Sequence, residues 1–321
     1  MLIRLTKSNH SAQLSLLILL TLAFWVRDFV VYTPIELIEP QTFLYNNLFG
    51  WTKNYIVLAK LLAFGSVVLQ AFMLSQLAKQ HSVSKKSIFI ALIYIVLMSA
   101  QSCWQTLQPF LISNFFIIGG YWYVFKIYDR KDPYEFVFNA FMLFALATLF
   151  SASLLPFGLI MFSILWGCSI NQWREWMIAI LGFAFPFFIV FLWASLIENL
   201  DVFSEFFIPM MKFGGFENMA KMSLFNKIFV STILIISLVG GVKLRSTNNE
   251  ISQRKKNVAI IWGAIWVAIV ALFFYTPAHL ATLFIFCAFF ITEWIFRSSR
   301  QWVSEVVFGV VLIVAAWVQY F

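Results

Sequence analysis

The stretch AHLATLFIFCAFFITEWIFRSSRQWVSEVVFGVVLIVAAWVQY (278–320) decides the fold. Two apolar runs, 278–296 and 303–320, flank a short basic break that carries Arg297 and Arg300. Each run is close to the ~20 residues an α-helix needs to cross the hydrocarbon of a bilayer. Backbone N–H and C=O groups find no water in lipid, so runs of this kind span as helices that satisfy their own hydrogen bonds. The basic break then turns the chain back at the membrane surface.

The same reading, carried outward, gives eleven candidate spans, at roughly 14–33, 55–77, 88–104, 109–126, 136–153, 155–170, 177–196, 227–242, 258–275, 278–296 and 303–320. Pro156 and Pro277 mark two tight hairpins, because proline fits the first turn of a helix at little cost. The first run is too long for the apolar part of a signal peptide and no small-residue cleavage site follows it, so it reads as a helix that stays. Residues 1–321 therefore read as one integral membrane domain, an all-α polytopic bundle.

Composition agrees. The chain is 62% hydrophobic and 11% charged, with 39 Phe and 13 Trp, against about 25% charged residues in soluble domains. The net charge of +8 falls in short gaps between apolar runs, which excludes a nucleic-acid surface and points to topology. Sixteen of the 22 Lys and Arg residues fall on one set of alternate gaps and six on the other. That bias puts the N-terminus in the cytoplasm and the C-terminus outside, and it fits a bacterial inner membrane. Cys103, Cys168 and Cys287 lie far apart in apolar surroundings, so neither a metal site nor a disulfide framework is expected.

Two outer segments exceed a turn. IELIEPQTFLYNNLFGW (35–51) and DVFSEFFIPMMKFGGFENM (201–219) mix acids, aromatics and glycine, and are expected to hold short interfacial helices. The inner connector KLRSTNNEISQRKKN (243–257) reads as polar linker.

Charges within or beside lipid need a reason. Arg27 and Asp28 stand near the outer end of the first run and Lys60 about two turns into the second. One reading is a structural ion pair between Asp28 and Lys60, or snorkelling. The other makes Asp28 a catalytic acid or base with Glu36 and Glu39 following on the same side, and has Arg27 and Lys60 bind a phosphate. A divalent cation is the one cofactor the outer acids would hold; no cofactor motif is present. His279 is expected to be solvated or to cap a helix, His10 and His81 to be surface residues, and Gln70, Asn114 and Asn139 to make interhelical hydrogen bonds.

Three stretches, KDPYEFVFNAFMLFALATLFSASLLPFGLIMF (131–162), NQWREWMIAILGFAFPFF (171–188) and HLATLFIFCAFFITEWIFRSSRQWVSEVVFGVVL (279–312), together resemble a family of uncharacterised multi-pass inner-membrane proteins of Bacteroidota, a domain of unknown function. The WREW element, 173–176, is its most specific mark. The resemblance implies location and no activity. A looser architectural likeness is to membrane glycosyltransferases that use polyprenyl-phosphate sugars. Those enzymes carry an acid near the outer end of the first helix or in the first outer loop; Asp28, Glu36 and Glu39 occupy comparable places. The paired-acid signature of that loop and a large soluble C-terminal domain are absent here. These likenesses imply a lipid-linked sugar, in envelope glycan assembly, as the substrate. A transporter or flippase, with a mid-membrane cavity lined by Asn114, Asn139 and Gln70, and a non-catalytic scaffold are the alternatives. Sequence names no protein partner.

Overall fold

The computed structural model describes residues 19, 21–27, 29, 42–84, 87–101, 104–127, 133–167, 172–197, 224–245, 251–274, 276–298 and 301–320. Every regular element among them is helical. We label the helices α1 (Phe43–Phe49), α2 (Ile56–Gln80), α3 (Ser87–Ser99), α4 (Pro109–Ile127), α5 (Tyr134–Phe150), α6 (Leu155–Ile160), α7 (Ser163–Gly167), α8 (Trp173–Leu196), α9 (Leu224–Arg245), α10 (Ile251–Phe274), α11 (Pro277–Arg297) and α12 (Gln301–Tyr320). Residues 21–27 form a further helical segment ahead of α1.

Six of the helices, α2, α4, α8, α10, α11 and α12, are long and apolar enough to cross a membrane. The chain is thus an all-α, multi-pass membrane protein. The six coincide with six of the eleven runs. Three more runs give apolar helical stretches shorter than a span, Ser87–Ser99, Tyr134–Phe150 and Asn226–Val242 within α9, and a fourth is broken into α6 and α7. Pro156 and Pro277 stand at the starts of α6 and α11, as the hairpin reading requires.

The chain alternates between two ends of the bundle, named here for Tyr45 and His81. α11 is the hub: it packs on α3, α4, α9, α10 and α12, and residues 278–293 are buried without interruption. α3 is equally enclosed from Phe89 to Ser99. The perimeter helices α2, α8 and α12 bury one face and expose a stripe of large apolar side chains. On α2 the stripe is Val57, Leu61, Leu69 and Phe72, the helical spacing of a lipid-facing surface.

Lipid tails give apolar helices no reason to prefer one another, so close association relies on small residues and packing. Two glycines meet that need. A Cβ on Gly182 of α8 would stand 2.6 Å from the Phe138 carbonyl oxygen of α5, and a Cβ on Gly240 of α9 would run into the Phe290 carbonyl of α11. Both helix pairs touch backbone to backbone there. Aromatic rings fill the rest, as where Phe89 meets Phe296 edge-on with centroids 4.9 Å apart.

His81 corrects the surface assignment made from sequence. It is buried at the end of α2, edge-on to Trp122 (5.8 Å) and Phe125 (5.4 Å) of α4. The end of α2 packs against α4, which covers the ring, and the chain then turns through Ser82, in the left-handed region at φ 53°. His10 lies outside the described residues.

Candidate functional site

Buried polar groups converge at the Tyr45 end, where two membrane segments stop being helical. The first break follows α3. Pro109 opens α4 and lacks an N–H, and the residue before a proline is steered away from helical geometry, so α3 and α4 cannot run together. The described part of the link, Ala100, Gln101 and Trp104–Gln108, is buried throughout. Non-helical backbone in such a protein is tolerated where the protein itself supplies the hydrogen bonds. Glutamines do so here. Gln105 Nε2 donates to the Ser99 carbonyl at the end of α3 (3.0 Å) and to the Phe24 carbonyl (3.4 Å). Gln101 Nε2 donates to Asn226 Oδ1 of α9 (3.1 Å), and Gln108 Nε2 to Thr106 Oγ1 (3.0 Å). Trp25 Nε1 donates to Ser99 Oγ (2.8 Å).

The second break follows α5, where Ser151 is extended and Ala152–Leu154 forms a 3-10 turn. Three outside groups satisfy carbonyls around it. Ser113 Oγ donates to Ala147 O (2.8 Å), Thr42 Oγ1 to Phe150 O (3.1 Å), and His279 Nε2 to Ser153 O (2.9 Å). His279 is fully buried. Its Nδ1 accepts the Thr276 N–H (3.3 Å), so the proton resides on Nε2 and points at Ser153; the partners fix the tautomer. Of the two roles the sequence left open for His279, capping is the one it fills. Tyr45 joins the two breaks: from α1, its hydroxyl donates to the Leu107 carbonyl (2.8 Å). Burial pushes that hydroxyl up from 10.0 to about 12, against a smaller opposing pull from Thr52.

Deeper in the bundle, Tyr94 of α3 donates to Gln70 Oε1 of α2 (2.5 Å), and Gln70 Nε2 donates to the Leu111 carbonyl of α4 (2.5 Å). Thr282 of α11 donates to Asn114 Oδ1 of α4 (3.0 Å). Gln70 and Asn114 thus make the interhelical bonds the sequence suggested, at sites closed to solvent. Asn139 is half-buried on α5.

Of the sequence-derived site residues, Arg27 and Lys60 are described, whereas Asp28, Glu36 and Glu39 lie outside the described residues. Trp25 and Phe29 both pack edge-on to Phe64 of α2, with centroids at 5.3 and 6.3 Å. Phe64 is one helical turn from Lys60, which is 5% exposed. The contact therefore brings the segment that carries Arg27 to the turn of α2 that carries Lys60. Arg27 Nη1 also donates to the Gln319 carbonyl at the end of α12. A cation there complements the unsatisfied carbonyls and negative dipole of a helix C-terminus.

The sequence reading missed the buried glutamine layer. Its signal is present: Gln101, Gln105 and Gln108 followed by Pro109, a polar density that no simple lipid-facing span carries. Among the described residues no group of three His, Cys, Asp or Glu side chains is placed to hold a metal ion.

No protein-family model, curated protein or solved structure matches this chain. The site is therefore read on its chemistry alone.

Proposed function

We propose that this protein handles a lipid-linked sugar at the outer leaflet of a bacterial inner membrane, in the assembly of envelope glycans. The observation that carries this reading is the placement of two cations, Arg27 and Lys60, on helical segments that adjoin at the Tyr45 end. A phosphate is an anion that two neighbouring cations can bind together, and a polyprenyl phosphate carries it on a tail that suits the bilayer. In this reading Asp28 acts as general base toward an acceptor hydroxyl or holds a divalent cation, and Glu36 and Glu39 assist it. The basic residues of alternate connections support an N-terminus in the cytoplasm, which puts the Tyr45 end outside.

The test pairs two variants, Lys60→Gln and Asp28→Asn, in a strain deleted for the protein. Lys60→Gln inserts normally and loses binding of polyprenyl phosphate, and Asp28→Asn inserts, binds and fails to restore the glycan. Full restoration by both variants overturns the proposal.

A non-catalytic scaffold is the second reading, favoured by the closed hub around α11. It requires both variants to be silent. Transport is the weakest of the three, because Gln70 and Asn114 are fully buried in the packed bundle.

A further inference from the structure

Cations and indoles gather at the opposite, His81 end. Lys79 closes α2, Lys126 closes α4, Arg174 opens α8, and Arg254 and Lys255 lie in the first turns of α10. All five reach solvent. The Lys126 ammonium is held over the Tyr123 ring (5.2 Å) and the Phe136 ring (5.7 Å), which fixes it at the rim of the bundle. Trp173 and Trp302, in the first turns of α8 and α12, are 72% and 61% exposed. Indoles so placed belong at the level of lipid headgroups. Of the described acids at this end, Glu175 and Glu293 are buried and only Glu135 and Glu305 are exposed. Among the described residues, five solvent-reaching cations thus face two solvent-reaching acids.

We infer that the His81 end docks anionic phospholipid headgroups. Charge complementarity selects the occupant: basic side chains within a Debye length of an acidic leaflet are drawn to it. The placement selects a lipid over a soluble polyanion. The cations are spread over the ends of four helices, with exposed indoles at the ends of α8 and α12 on the same side.

The full chain, purified in a neutral detergent, is heated with added phosphatidylglycerol or phosphatidylcholine, and the unfolding midpoint is read. Phosphatidylglycerol raises the midpoint by several degrees more than phosphatidylcholine does, and salt at about 1 M, where the Debye length is near 3 Å, removes the difference. Inorganic phosphate at equal concentration does not reproduce the shift. A Lys126→Gln, Arg174→Gln, Lys255→Gln variant loses most of it, while Lys53→Gln at the Tyr45 end keeps it. Equal response to the two lipids overturns the inference, as does a shift that survives high salt or one matched by free phosphate. Should the triple variant fail to fold, the salt and phosphate arms on the unaltered protein decide the matter.

Discussion

α11 and α12 follow one another in the chain, have 21 and 20 residues, and are both apolar enough to span. Yet 89% of the apolar stretch of α11 is buried in the bundle and only 33% of that of α12. Hydropathy says that both belong in a membrane and nothing about which one meets lipid. Polar burial separates them. α11 carries His279, Thr282, Thr292 and Glu293, all buried, whereas α12 leaves Glu305 exposed and buries Ser304 and Gln319. Polar groups inside lipid are expensive unless other helices take them up, so the helix with more polar side chains in need of partners is drawn to the centre.

The sharpest way to break this comparison is to enlarge one glycine beside each helix. Gly240→Leu drives a side chain into the backbone of α11 and is expected to cost ~3 kcal/mol or more, read as loss of monodisperse protein in detergent. Gly309→Leu on α12, where a Cβ meets nothing within 4 Å, leaves the yield unchanged. Equal losses would mean that α12 is enclosed as well.

His279→Ala is expected to cost ~2–3 kcal/mol by thermal or denaturant unfolding, because it removes a cap and leaves buried groups without partners. A lipid-facing change on α12, Ile313→Val, stays within ~0.5 kcal/mol. Tyr45 tests whether the closed character of α11 extends to the polar layer at the end of the bundle. Its hydroxyl is raised in the folded protein, so the folded state holds the proton more tightly than the unfolded chain does. Stability is therefore full below pH 10 and falls as pH rises toward about 12, by up to ~2 kcal/mol. Tyr45→Phe flattens that alkaline limb. Smaller than the losses at His279 and Tyr45 is the coupling between Asn114 and Thr282: a double-mutant cycle with Asn114→Leu and Thr282→Val is expected to give ~0.6 kcal/mol, the usual worth of an interhelical hydrogen bond in a membrane.

Much of the architecture was legible in the residues. The apolar runs located the helices, and Pro156 and Pro277 located two helix starts, because both signals are local. The enclosure of α3 was not legible. Its run was read through residue 104 as one span, since Ala100, Cys103 and Trp104 keep the apolar count high; Gln101 and Gln105 end it because their amides are needed by carbonyls from Ser99, Phe24 and α9. His81 misled for a related reason. Its sequence neighbours are polar, and its burial comes from the packing of the end of α2 against Trp122 and Phe125 of α4. At the candidate site, Arg27 and Lys60 were identifiable as charges out of place, but the bond from Arg27 to the end of α12 links residues 292 positions apart, a distance over which no local pattern speaks.

That long link has a consequence for biogenesis. Gln319 reaches back to the Phe24 carbonyl and Arg27 reaches forward to the Gln319 carbonyl, so the seat of the earliest described helical segment is finished by the latest. During synthesis these two bonds form only after the last hairpin is released, so an insertion intermediate halted after α11 lacks both of them and the docking of residues 21–27 is completed by the final step of chain growth.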